Sequence, residues 1–403
     1  MLDYQKILNN AKDFVIWIIF GIVTGVVSGL IGTAFHLAVD YVTEIRMEHF
    51  QIIFFMPLAA IIIHYIYRLL KVDGQGTDTI IKAALNKKEV SLLLAPAIFA
   101  STVLTHFTGG SAGREGAALQ IGGSISSSLG RLFHLESKDQ RSVILAGMAG
   151  VFAALFGTPI GATIFATTVL VVSVNEEKSF MAALVSALVA DYVAKMLGVP
   201  PTRFAVETIA LTPKTFLVTI VLGLIFSLAA NLFYRTNHFA EHKLSHYFKN
   251  PLIRSIVATS IVVIMTLIFS DMRYNGAGMN IIAKAIEQGE ANYYDFLLKI
   301  IFTALTLAAG LKGGEVVPSF FIGATLGCVV GPIFGLPASL SAAMGMIGVF
   351  CGCTNTLLAS LVLAIEMFGV GGLPFYALCL TVVELTSTDD GFYHAQRQYC
   401  SNK

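Results

Sequence analysis

Two acidic residues stand where an acid is costly. Glu115, in Gly113-Arg114-Glu115-Gly116, follows the glycine-rich stretch Gly109-Gly110-Ser111-Ala112-Gly113 and precedes an uncharged run over residues 117–129. Glu315, in Gly313-Gly314-Glu315-Val316-Val317-Pro318, precedes another. A carboxylate at the start of a membrane-embedded helix faces unpaired N–H groups and the positive end of the helix dipole, so it fills an anion site there or competes for one. Deprotonated, Glu115 would occupy such a site. Protonated, it loses the attraction and swings out, an anion enters, and proton uptake is linked to anion movement at one group. Glu315 beside the same path would handle protons or gate, whereas as a helix cap it would be purely structural. Gly-Arg-Glu-Gly would also suit an exposed turn, so the surroundings have to decide.

Those surroundings are apolar. Of 403 residues, 56% are hydrophobic and 13% charged, with mean hydropathy +0.76, against roughly 25% charged residues in soluble domains. The pattern is that of an all-α, polytopic membrane protein in contact with lipid. A net charge of +1 gives no reason to expect a nucleic-acid partner. The first apolar run, residues 14–39, lacks a small-residue cleavage site and reads as a retained span. Of Cys328, Cys351, Cys353, Cys379 and Cys400, all but the last lie in apolar segments; they imply no disulfide framework, and Cys351-x-Cys353 reads as small packing residues. His36, His64 and His106 fall in three separate runs with no metal-ligand spacing, so neither metal nor cofactor is expected.

Apolar runs recur from residue 14 to residue 385, joined by brief polar connections, the longest around residues 198–214, 237–251 and 271–289. Several are shorter than the roughly 20 residues a full crossing needs and have Gly or Pro at their ends. Such half-length helices are tolerated only where the exposed backbone lines a cavity or is buried in protein.

The chain also contains itself twice. Asp73-Gly74-Gln75-Gly76-Thr77-Asp78 matches Asn275-Gly276-Ala277-Gly278-Met279-Asn280, Gly74 and Gly276 being 202 residues apart. Gly113-Arg114-Glu115 matches Gly313-Gly314-Glu315 at an offset of 200, with Gly123 opposite Gly323. Gly147-Met148-Ala149-Gly150-Val151-Phe152 matches Gly345-Met346-Ile347-Gly348-Val349-Phe350 at 198. The expected organisation is one transmembrane domain, 1–403, made of repeats at 12–200 and 213–396. Seven apolar runs separate the two G-x-G loops, and an odd number of crossings would invert the second copy. In inverted repeats, substrate sites lie near the midplane, where broken helices point their N-termini inward. Gln75, Thr77 and the amides of Gly116, Ala117, Val316 and Val317 are then donors that could replace an anion's water.

These motifs resemble the CLC family of anion channels and anion/proton antiporters over nearly the whole chain. Gly113-Arg114-Glu115-Gly116 is similar to its gating-glutamate motif, residues 74–78 occupy the place of its G-S-G-I-P loop, and residues 313–318 that of G-G-x-F-x-P. Phe156-Gly157-Thr158-Pro159 resembles the start of its dimer-interface helix. Tyr393, in Asp390-Gly391-Phe392-Tyr393, resembles the tyrosine lining the inner end of the anion path. The resemblance implies an anion site around Gln75, Gly76, Thr77, Gly113, Arg114, Gly116, Ala117, Val316, Val317 and Tyr393, gated by Glu115. It also implies a homodimer with a separate pathway in each subunit, in a bacterial plasma membrane.

The departures are as informative. Gln75 replaces the loop serine, Val316 the phenylalanine, Glu315 stands just before it, and Thr167-Thr168-Val169 lies where chloride/proton antiporters place an inward-facing glutamate. This looks like the fluoride/proton antiporter branch; a chloride/proton antiporter or passive chloride channel is the alternative. Glu366 and Glu384 could serve a proton route or cap helix ends. Residues 109–113 also fit the nucleophile elbow G-x-S-x-G, but that motif needs a preceding strand and His and Asp/Glu partners, and the preceding run has the length of a membrane helix. The reading is a transporter rather than an enzyme.

Overall fold

The computed structural model describes residues 4–170, 177–269, 272–388 and 391–393. Cys400, Asp390, Asp271, the end of the run 160–174 and the end of the repeat 213–396 lie outside the described residues. Among the described residues every extended element is a helix, sixteen of them α-helices. The first eight are α1 Tyr4–Glu48, α2 Met56–Leu69, α3 Thr77–Leu85, α4 Leu94–Phe107, α5 Glu115–Leu132, α6 Gln140–Phe156, α7 Pro159–Val169 and α8 Glu177–Met196. The next eight are α9 Pro213–Tyr247, α10 Pro251–Phe269, α11 Met279–Ala283, α12 Asp295–Ala308, α13 Val316–Ile333, α14 Ala338–Thr354, α15 Leu357–Phe368 and α16 Leu373–Thr386. Each set opens on its longest helix and has its shortest third. The fourth, fifth and sixth members match at 14, 18 and 17 residues in both sets.

Hydropathy misses α3 and α11. Each starts at the second glycine of a G-x-G loop, with Gly76 and Gly278 as caps, and each is too short and too polar to register as a span. They bury Ile80, Ile81, Ile281 and Ile282 against protein rather than lipid. With α3 counted, eight helices separate the two loops. The stretch 237–251, expected as a polar connection, continues α9 helically to Tyr247. Hydropathy marks where a helix leaves the apolar layer, and α9 runs beyond that point.

The core is built on α5, α6, α13 and α14. Every residue of α6 is buried, as is α14 from residue 340 to 354, consistent with helices apolar on all sides. Their crossings are made by glycine. A Cβ at Gly122 would stand 2.1 Å from the carbonyl oxygen of Gly147, and one at Gly323 would stand 1.9 Å from that of Gly345. Around this core, seven of the described helical segments are long and apolar enough to cross a membrane. Leu30 and Leu37 on α1, Leu69 on α2, Leu228 on α9 and Ile268 on α10 point outward, as lipid contact requires.

The glycine crossings correct the register of the repeat. Gly122, rather than Gly123, corresponds to Gly323, an offset of 201 in place of 200. By the same offset Glu115 corresponds to Val316, and Arg114 to Glu315.

Candidate functional site

The starts of α5 and α13 meet backbone to backbone. Gly113 N–H donates to the Gly314 carbonyl at 2.7 Å and Gly314 N–H to the Gly113 carbonyl at 2.8 Å, forming an antiparallel bridge. Such a reciprocal pair is what a two-fold axis through that point produces. There is no room here for side chains: a Cβ at Gly314 would lie 2.5 Å from Gly116 N, and one at Gly313 would lie 2.5 Å from Ala112 Cβ.

Glu115, the first residue of α5, is fully buried at this junction. Its side chain folds back so that Oε2 accepts from Arg114 N–H at 2.9 Å. Arg114 Nε stands 3.8 Å from Oε1, and Oε1 has no hydrogen-bond partner. A Cβ at Gly113 would stand 2.5 Å from Glu115 Oε2 and 3.2 Å from both the Gly314 carbonyl oxygen and Pro318 Cδ, so the carboxylate lies where the starts of α5 and α13 meet. Ala118 and Ser319 are the first intrahelical donors, bonding to the carbonyls of Arg114 and Glu315. The amides of Gly116, Ala117, Val316 and Val317 therefore have no partner within their own helices. All four residues are buried. This gives an anion-sized place, lined by amides and positive dipole ends, with a carboxylate in or beside it.

Two cavities approach this place. One, of about 760 Å³, is lined by Arg114 with His36, Asp40, Arg46, His106, Arg203, Arg273, Asn275 and Lys284 among others. The other, of about 380 Å³, is lined by residues 74–79, Gln120, Glu241, Lys312, Gly313, Glu315 and Tyr393 among others. Glu315, the cap of α13, thus faces a different cavity from Arg114, the cap of α5.

The first G-x-G loop belongs to the smaller cavity. Gly76 N–H donates to Thr79 Oγ1 at 3.1 Å, so this amide is taken up by its own helix start. Thr77 Oγ1 lies 3.5 Å from the Gly116 carbonyl and accepts from Gln120 Nε2 at 3.1 Å, joining loop and α5. Gln75 is half-buried at the cavity wall, its N–H bonded to the Val72 carbonyl. Tyr393 is 6% exposed, its ring 6.3 Å from that of Phe165. Its segment is pinned by Phe392 N–H on the Cys353 carbonyl.

Gln120, with an unpartnered Oε1, is a wall residue that sequence reasoning missed; a lone amide inside an uncharged helix was the signal. Asp40 was missed too. It bridges Arg114 Nη1 at 2.8 Å and His36 Nε2 at 3.1 Å, a pairing between distant segments that local sequence does not show.

Other residues find plain roles. Glu366 accepts from the N–H groups of Ile160 and Gly161 at 3.1 and 2.7 Å, capping α7 from α15. Glu384 lies 3.6 Å from Cys351 Sγ. Thr167 and Thr168 donate to carbonyls of their own helix. Ser111 Oγ lies 3.0 Å from Thr303 Oγ1 and follows a helix, so the nucleophile-elbow reading fails. Among the described residues no group of His, Cys, Asp and Glu could hold a metal ion.

Half-length helices meeting end to end around a buried carboxylate, between two cavities and inside a ring of apolar spans, define a membrane transport protein. The chain belongs to the CLC family: the family model described as voltage gated chloride channel matches residues 58–387. A chloride/fluoride channel protein of Pseudomonas syringae pv. tomato is 32% identical over 94% of this chain and 86% of its own length. The crystal structure of a CLC-type fluoride/proton antiporter superposes with a TM-score of 0.91 at 34% identity, over 95% of this chain and 98% of that one. A slow cyanobacterial Cl⁻/H⁺ antiporter superposes at 0.83 with 17% identity, over 96% of this chain and 98% of that one, a likeness of fold.

Proposed function

We propose that the protein exchanges fluoride for protons across a bacterial plasma membrane, with Glu115 as gate and Glu315 as a second proton-handling group. The observation that carries this reading is the place of the Glu115 carboxylate, fully buried between two helix starts whose free amides suit an anion. Carboxylate and anion compete for one position, and a proton on Glu115 releases it. Fluoride is small, basic and a strong hydrogen-bond acceptor. A protonated carboxyl at Glu315, on the smaller cavity, can donate to it, whereas a larger halide gains less from such a donor. The likeness to a fluoride/proton antiporter and to a chloride/fluoride channel protein supports the same choice.

The reading includes two repeats, near 12–200 and 213–396, and a homodimer with one pathway per subunit. Exposed Ile160, Leu188, Leu358 and Leu385 on α7, α8, α15 and α16 offer an apolar face for that contact. The test is flux from liposomes loaded with fluoride or chloride, with proton movement recorded in parallel. Fluoride efflux faster than chloride efflux, with protons moving the opposite way, is expected. Faster chloride, or fluoride flux without proton movement, contradicts the proposal.

A further inference from the structure

The smaller cavity gathers acids where a path for anions alone would gather bases. Of its charged wall residues Asp78, Glu241 and Glu315 are acidic and Lys312 is basic. Lys312 is turned to an aromatic face, its Nζ 4.3 Å from the centre of the Tyr67 ring. Asp78 lies in the first turn of α3, a position the helix dipole alone explains. Glu241 has no such explanation. It stands on the part of α9 that continues toward Tyr247, exposed to water and yet on the cavity wall. His238, the other titratable group on that part of the wall, packs its ring edge-on against Tyr234 at 4.4 Å.

Phe233, Asn237 and Glu241 follow one another along one face of α9, about 6 Å per step. Phe233 is fully buried, its ring 5.2 Å from that of Phe392, the neighbour of Tyr393. Asn237, one turn further out, is half-buried, and neither its Oδ1 nor its Nδ2 has a partner. On α5, Gln120 is 4% exposed and its Oε1 has no partner. Both amides line the cavity. An amide left unpaired at a cavity wall is costly, and a small rotation onto water in the cavity removes that cost. A cavity of about 380 Å³ has room for several waters.

We infer that the smaller cavity delivers the proton to Glu315, with Glu241 collecting it from solution and Asn237 and Gln120 holding the water that connects them. The relay rests on the proposed exchange of fluoride for protons. Glu241 takes a proton from the aqueous side and gives it to the first water. Each water passes one of its own protons onward, the Glu315 carboxylate receives the last, and Glu241 is left ionised for the next. Three acids against one base also keep protons concentrated around this chain.

The test uses the full-length protein in liposomes, with fluoride efflux and proton uptake recorded together. Glu241→Gln should slow both about 10-fold at an unchanged ratio of protons to fluoride. That is less than the roughly 100-fold or more contributed by a proton donor at a reacting bond, because water partly bypasses an exposed acid. A high concentration of a membrane-impermeant zwitterionic buffer should restore the rate of Glu241→Gln, by carrying protons to the cavity mouth, and leave the unmodified protein unaffected. Asn237→Leu should also slow both fluxes, and the same buffer should not restore them, because the break lies deeper than the buffer reaches. An unmodified rate in either variant overturns the relay. A fall in Glu241→Gln that buffer does not restore assigns Glu241 a structural role and also overturns it. Fluoride efflux from the unmodified protein with no proton uptake would reject the exchange itself, and the relay with it.

Discussion

At the start of α5 the cap is Arg114 and the first helical residue Glu115; at the start of α13 the cap is Glu315 and the first residue Val316. The backbones at these two places are near copies, joined by the reciprocal Gly113 and Gly314 hydrogen bonds. The side chains are not, and the two cavities follow them. Arg46, Arg114, Arg203, Arg273 and Lys284 outnumber Asp40 and Glu44 around the larger, while Asp78, Glu241 and Glu315 outnumber Lys312 around the smaller. The duplicated loops part in the same way. Lys299 fills the space beside residues 274–276, whereas its counterpart at the offset of 201, Ile98, leaves the cavity beside residues 74–79 open. A repeated backbone supplies two converging dipoles; symmetry-breaking side chains decide which start holds Glu115 and which Glu315.

That contrast can be attacked at its strongest point first. Glu315→Ala removes the acid from the smaller cavity and should lower fluoride flux about 10- to 100-fold, the range for losing one charge-assisted hydrogen bond. Unchanged flux in the liposome assay would reduce Glu315 to a cap. Next, Lys299→Met leaves two buried carbonyls without their donor and should destabilise the protein by about 1–3 kcal/mol. Ile98→Met should stay within about 1.5 kcal/mol. Thermal unfolding in detergent would show whether the two sites respond unequally; equal shifts would mean that the lysine breaks no symmetry. The backbone crossings should respond alike: Gly122→Ala and Gly323→Ala each force a Cβ onto a carbonyl and should each lower stability by about 1–3 kcal/mol. A tolerated alanine at only one of them would show that the halves pack differently. Smallest is Gln75→Ala, expected to change flux by no more than about 10-fold, as for one neutral hydrogen bond. A complete loss would make Gln75 a principal ligand.

Much of this was legible in the chain. Glycines at helix starts, an acid beside each and the duplicated G-x-G loops announced broken helices whose starts meet, because only a buried junction needs so many residues without side chains. The repeat register was misread by one residue: the two acids align by type, and only packing shows that the equivalent backbone places hold Arg114 and Glu315. Short α3 and α11 escaped because hydropathy reports lipid contact and they have little. The meeting of Arg46 with His106, and of Lys299 with residues 274–276, escaped because these residues lie far apart in sequence.

The central claim is that the Glu115 carboxylate takes turns with the anion, and the most direct measurement is the ratio of protons to fluoride moved by Glu115→Gln in liposomes. The account predicts fluoride flux that continues while proton movement falls to the background of empty liposomes. A variant that still drives protons against a fluoride gradient at the unmodified ratio would contradict it.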